Sequence, residues 1–151
     1  MYSCETGVAL PGEVIYYTDE MGLDFVPTDK AYTFFHSELS LNISDYLEIT
    51  VKLPDTELMY VSGYFNLDNA EQTELDIPDF VPGIVRYNGD KQPQMSSPTN
   101  LTSKRAFYDK KSGWICIGEP AIKNVTEIAN GTGIGILDGE LLSVWLRPNI
   151  K

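Results

Sequence analysis

The stretch FNLDNAEQTELDIPDF, residues 65–80, gathers five carboxylates, Asp68, Glu71, Glu74, Asp76 and Asp79, with no lysine, arginine or histidine among them. Carboxylates at close spacing ligate a hard cation, work as an acid–base pair, or attract a positively charged partner. Calcium loops alternate their ligands as D-x-[DN]-x-[DN]-G, a pattern that DNAEQTELD lacks. Glycoside chemistry needs two facing carboxyls, and among 22 acids some pair will face by accident. Attraction of a cationic partner is the reading that the residue types support.

Other chemistry is thinly represented. His36 is the one histidine; it stands beside Phe34 and Phe35 in strand-like text, with no nucleophile motif near it. Cys4 and Cys116 fit no metal-ligand spacing, and zinc or iron would need more histidine or cysteine than the chain has. Cys116 in WICIG reads as a buried reduced thiol, with a bridge to Cys4 as the less favoured alternative. The glycines of NGTGIG resemble a phosphate loop on the surface only: the Lys-Ser/Thr ending is missing and the segment runs into a strand. The expectation is a protein that is not an enzyme and that has no cofactor, metal or catalytic residue.

Charge supports the attraction reading. Residues 1–90 hold 17 acids against three bases, Lys30, Lys52 and Arg86, a net of −14, whereas residues 91–151 net +3. Between Leu53 and Val85 there are seven acids and no base. Like charges so concentrated oppose compaction, and a surface of one sign steers oppositely charged partners. Phosphates need a basic face, so direct nucleic-acid binding is not expected. A solvated acidic loop that aids solubility is the bland alternative. The residues nominated for partner contact are Asp55, Glu57, Asp68, Glu71, Glu74, Asp76 and Asp79, with Tyr60 and Tyr64, on the polar side of a strand, as aromatic anchors.

Period-two alternation dominates the elements that would position these residues. In DYLEITVKLP, Leu47, Ile49, Val51 and Leu53 face one side; in LMYVSGYFNL, Met59, Val61, Phe65 and Leu67 do. PDTE between them predicts a hairpin, and Gly63 a bulge or a close backbone contact. GEVIYYTDE, LDFVP and AYTFFHSELSL read as strands, and RAFYDKKSGWICIG as a hairpin turning at KKSG. Pro120 and the spacing of Ala121, Ile122, Val125, Ile128 and Ala129 predict a short helix near 120–130, stopped by Asn130-Gly131. Asp138-Gly139 predicts a tight hairpin pairing Ile136 with Leu141 and Ile134 with Ser143, both faces covered. The polar stretch 87–104 reads as a mobile loop. The fold class expected is mainly β: an antiparallel sheet, sandwich or barrel-like, of about eight or nine strands with one helix, in a single domain over 1–151.

No stretch approaches a membrane span, and the N-terminus lacks the basic and apolar regions of a signal peptide, so a cytoplasmic location is expected and a membrane partner is not. Four N-x-S/T sequons, at Asn42, Asn100, Asn124 and Asn130, support the alternative of a secreted or surface β-domain, a ligand-binding barrel or an adhesion or structural module.

The closing text, GWICIG…ANGTGIGILDGELLSVWLRP over Gly113 to Pro148, resembles bacterial immunity proteins of contact-dependent growth inhibition and related polymorphic toxin systems. The resemblance implies an acidic cytoplasmic antitoxin that binds and neutralises a basic toxin domain, commonly a nuclease. It transfers no interface residue, because interfaces in that family differ from pair to pair.

Overall fold

The structure, a computed structural model, describes residues 1–29, 38–44, 46–88, 96–99, 101 and 104–151. The chain is mainly β, and its strands join in one curled sheet, a half-barrel. Fifteen strands lie among the described residues, more than the eight or nine expected, because several edge pairings use only two or three residues. The first half is a set of antiparallel neighbours. β1 (Tyr2–Thr6) pairs with β8 (Phe80–Tyr87), and β2 (Gly12–Tyr17) with β3 (Gly22–Pro27). β4 (Glu38–Asn42), β5 (Leu47–Lys52) and β6 (Glu57–Tyr64) follow one another in space. The predicted hairpin at PDTE is present, with Leu47, Ile49 and Val51 buried on one side of β5. Gly63 is the expected close contact: its φ is +132°, and a Cβ there would collide with the Tyr46 carbonyl.

β8 joins the two halves of the sheet. Its first residues pair in parallel with β12 (Val125–Ala129), and Gly83–Tyr87 pair with β1. Beyond β12 come β13 (Thr132–Leu137), β14 (Glu140–Leu146), β11 (Ile115–Gly118), β10 (Ala106–Tyr108) and, at the edge, β7 (Glu71–Gln72). The sheet is mixed rather than antiparallel: β7, β9 (Ser96–Pro98), β12 and β15 (Asn149–Ile150) each make a parallel pairing. Three of these four are segments of two or three residues that return along a sheet already formed.

The predicted helix is absent. Residues 120–124 are turn and irregular backbone, and Val125–Ala129 is a strand between β8 and β13. Val125 is buried in the second core and, past a bulge between Glu127 and Ala129, Ile128 and Ala129 are buried in the main core, so a strand covered on both faces imitates the i, i+3, i+4 spacing of a helix. β-branched Val125, Thr126 and Ile128 favour the strand.

Of the expected loop 87–104, Tyr87 closes β8, Ser96–Pro98 pair with β4, and Leu101 is buried; residues 89–95, 100, 102 and 103 lie outside the described residues. His36 and residues 30–37 generally lie outside them too, as does Asn100.

The Asp138-Gly139 turn is present, with left-handed φ at both residues, and Ile136 pairs with Leu141. The rest of the predicted register is shifted by one, because a bulge at Leu142 sets Ser143 opposite Gly135, Val144 opposite Ile134 and Trp145 opposite Gly133. The shift decides which side chains meet. Ile134, Val144 and Leu146 enter the main core inside the curl, while Trp145 enters a second core on the other face, with Trp114, Cys116, Val125 and Leu75. Phe80 stacks on Trp114 (centroids 4.3 Å apart) and meets Trp145 edge-on at 6.0 Å. Gly133 makes room for it: a Cβ there would stand 2.7 Å from the Phe80 ring. The bulky neighbour that Gly133 accommodates is Phe80, whereas Gly135 faces Ser143 and Ile122.

Candidate functional site

The acid-rich stretch is a strap over the second core. After β6 the chain makes one 3-10 turn, Leu67–Asn69, capped by the Asn66 side chain, which accepts from the Asp68 N–H at 3.1 Å. It then pairs with β10 as β7 and crosses to β8. Leu75 and Ile77 pack into the second core, while Glu71, Glu74, Asp76 and Asp79 are exposed. The alternation of Leu75, Asp76 and Ile77 is strand-like, and it sends the carboxylates outward. Asp109, only 5% exposed, fastens the strap: its Oδ2 accepts from the Leu75 N–H at 3.2 Å, and its Oδ1 accepts from Lys111 N–H at 2.9 Å and Ser112 N–H at 3.3 Å in the β10–β11 turn. Donation by Leu75 holds the Asp109 carboxyl below the ordinary aspartate value; desolvation opposes this, and the Ser112 and Lys111 amides add to it.

The nominated residues do not form one unneutralised surface. Asp55 and Glu57 lie at the β5–β6 turn, 3.5 and 3.6 Å from Lys52 Nζ, and Arg86 donates to the Asp55 carbonyl. Glu71 is paired with Arg105, and Asp76 with Lys123 at 2.8 Å, which lowers the Asp76 pKa. The positive C-terminal part thus supplies two of the cations that the stretch itself lacks. Asp68, Glu74 and Asp79 have no ion pair among the described residues. Tyr60 is not an exposed anchor: it is partly buried against the main core, its ring stacked on Phe25 at 5.8 Å. Tyr64 lies at the far end of β6 from Glu57, a separation of about 23 Å at strand rise.

Tyr64 and Asp68 do have company. Tyr64 is 62% exposed, opposite Gly22 in β3, and Gly22 is opposite Tyr17 in β2, which is 38% exposed. On the other flank the Tyr64 N–H donates to the Tyr46 carbonyl at 2.9 Å, and Tyr46 is 74% exposed. The Phe65 N–H donates to the Met21 carbonyl and brings the β2–β3 turn, with exposed Asp19, Glu20 and Met21, alongside. A cavity of about 460 Å³ opens beside it, and its wall carries Asp19, Met21, Asp68 and Lys110. Sequence reasoning missed Tyr17, Met21 and Tyr46. Alternation alone puts Tyr17 and Tyr64 on outer faces, but only the pairing of β2, β3 and β6 puts them in one row.

The two cysteines are unpaired. Cys4 is exposed in β1, and Cys116 is wholly buried in the second core. Burial, with the Glu119 charge adding to it, pushes the Cys116 thiol up to about 12, which leaves it inert at neutral pH. Among the described residues no helix is long and apolar enough to cross a membrane. In comparisons with known proteins, no family model matches the chain and no curated protein matches it significantly.

Proposed function

We propose that the chain is a non-enzymatic acidic immunity protein, an antitoxin that binds a basic toxin domain of the nuclease kind and covers its substrate surface. The observation that carries this reading is the strap: a segment whose apolar side chains are anchored holds its carboxylates outward, Glu74 and Asp79 without an ion pair among the described residues, in a chain of net charge −11. Fixed anions on an ordered segment attract a site built for phosphate without the ordering cost of a floppy tail. The resemblance of Gly113–Pro148 to immunity proteins supplies the class of partner. Location in the cytoplasm, where such toxins act, belongs to the same proposal.

Asp68, Glu74 and Asp79 carry the effect, since Asp55, Glu57, Glu71 and Asp76 already have cations beside them. An interface of standard size takes about 800 Å² from each partner. The test is association with a basic nuclease domain encoded next to this chain. Its on-rate falls as salt rises, and reversal of Asp68, Glu74 and Asp79 to lysine slows it further. An affinity indifferent both to ionic strength and to that triple reversal would overturn the proposal. The secreted β-domain reading loses the Cys4–Cys116 bridge as support, and the Asn130 side chain of one sequon is engaged by the Gly12 N–H at 2.9 Å.

A further inference from the structure

The row of exposed tyrosines at the ends of β2, β3, β5 and β6 has no part in the core and none in the strap. Tyr17 and Tyr64 stand on the outer face of adjoining strands, exposed Tyr46 precedes β5 with its carbonyl accepting from the Tyr64 N–H, and Met21 is 45% exposed on the turn beside them. Tyr17 and Tyr64 are two strand spacings apart, about 9.5 Å. Gly22 lies between them, and only the Tyr17 ring comes within 4.0 Å of the point a Cβ would occupy, so a notch floored by backbone separates the two rings. Contiguous exposed aromatic surface on a protein of this size marks a contact region, and tyrosines are rigid anchors that lose little entropy on binding.

Charge selects the occupant. Asp19 and Glu20 adjoin the row on the β2–β3 turn, and Asp68 stands on the 3-10 turn just after β6. Among the described cations, Lys110 lines the neighbouring cavity and the Lys151 carbonyl receives the Thr18 N–H. None of the three acids has an ion pair among the described residues. A second copy of the chain would bring another −11 to the contact, and an anionic lipid surface would be repelled likewise. A guanidinium or ammonium group is drawn to both features, since tyrosine faces are electronegative and the flanking carboxylates are anionic.

We propose that the Tyr17–Gly22–Tyr64–Tyr46 row, flanked by Asp19, Glu20 and Asp68, is the anchoring surface for an arginine- or lysine-bearing segment of a basic polypeptide partner. The proposal rests on the reading of the chain as a binder of basic protein, and it names where that partner is gripped. One basic side chain enters the notch over Gly22, and others stack on Tyr64 and Tyr46.

The test is a titration of labelled deca-arginine onto the whole chain, followed by anisotropy and by the tyrosine ring resonances. Four variants separate the terms: Tyr46→Ala/Tyr64→Ala, Tyr46→Phe/Tyr64→Phe, Glu74→Gln/Asp79→Asn on the strap, and Gly22→Lys in the notch. An exposed ring over a cation contributes about two- to fivefold in affinity, so the double alanine variant binds about tenfold more weakly. The double phenylalanine variant stays within about twofold, because the ring faces remain. Gly22→Lys, on backbone without left-handed strain, fills the notch and weakens binding with the fold intact. Unchanged thermal unfolding of the alanine variant is expected from the exposure of both rings. Binding that survives Tyr46→Ala/Tyr64→Ala but is lost in Glu74→Gln/Asp79→Asn overturns the anchoring surface and leaves the acidic strap standing. The reverse pattern upholds the anchoring surface and removes the strap from the contact. A wild-type chain that ignores deca-arginine overturns both, and ring shifts produced by chitohexaose in its place would assign the row to glycan.

Discussion

Asp109 shows how much one side chain can position. Its two oxygens hold the β10–β11 turn and the strap at once, and it is buried with no ion pair among the described residues. Its carboxyl titrates below the ordinary aspartate value in the folded chain, so its contribution to stability is complete above that value. The contribution is lost as pH falls through the lower folded value, because the unfolded state then binds more protons. Asp109→Asn therefore lowers the melting temperature at neutral pH and narrows the gap to wild type as the solution is acidified toward pH 3, which thermal scans across pH would display. Thr132 poses the opposite case. Its hydroxyl is buried in β13 with no hydrogen-bond partner among the described residues, a burial that costs about 1–3 kcal/mol relative to a satisfied group. Thr132→Val keeps the shape and removes the orphan, so the melting temperature rises by about 2–4 °C per kcal/mol recovered; no rise in a calorimetric scan would show that the hydroxyl is satisfied after all.

At the scale of elements, bulges account for where reading by period departs from the fold. The sequence of β12 predicts part of a helix because Val125, Ile128 and Ala129 stand at helical spacing, but in the strand Val125 enters the second core and, with the bulge at Ile128, Ile128 and Ala129 enter the main one. The C-terminal hairpin has the foreseen turn, yet the bulge at Leu142 carries Trp145 to the face that the strap covers. Neither bulge leaves a mark in the hydrophobic pattern that distinguishes it from an ordinary repeat. The packing of Phe80 over Gly133 gives this arrangement a measurable consequence. Gly133→Ala drives a methyl against the Phe80 ring and Val125, and overpacking of this kind costs about 1–3 kcal/mol in denaturant unfolding. Near-UV circular dichroism of the Trp114–Phe80–Trp145 cluster changes with it, whereas an alanine at solvent-facing Gly22, in extended backbone, leaves both signals alone.

Over the whole molecule, the charge asymmetry of the sequence is partly resolved by folding. The C-terminal cations Arg105 and Lys123 reach back to Glu71 and Asp76, and Lys52 and Arg86 serve the hairpin end with Asp55, Glu57 and Glu5. In the acid-rich stretch and the β2–β3 turn beside it, Asp68, Glu74, Asp79, Asp19 and Glu20 have no ion pair among the described residues. Neutralising Asp68, Glu74 and Asp79 as amides takes the chain from −11 to −8 and relieves self-repulsion. The melting temperature at low salt then rises slightly, by an amount worth within about 0.5 kcal/mol per site, and the gain disappears at high salt. Neutralising Glu71 and Asp76 gives no such gain, since each loses a cation; a rise equal to that of the first set would refute the division into paired and unpaired acids.

The amino-acid sequence by itself determined the β class, the hairpins at PDTE, KKSG and Asp138-Gly139, the burial of Cys116 and the outward alternation of the strap's acids. All of these follow from local rules: period-two patterning, turn chemistry and the exclusion of unpaired charge from an apolar interior. Only the tertiary structure decided the parallel pairings, the registers past the bulges, which acids acquire a cation, and the row that joins Tyr17 to Tyr64 and Tyr46. Those depend on strands distant in sequence being laid side by side, and a one-residue slip there exchanges every inward side chain for an outward one.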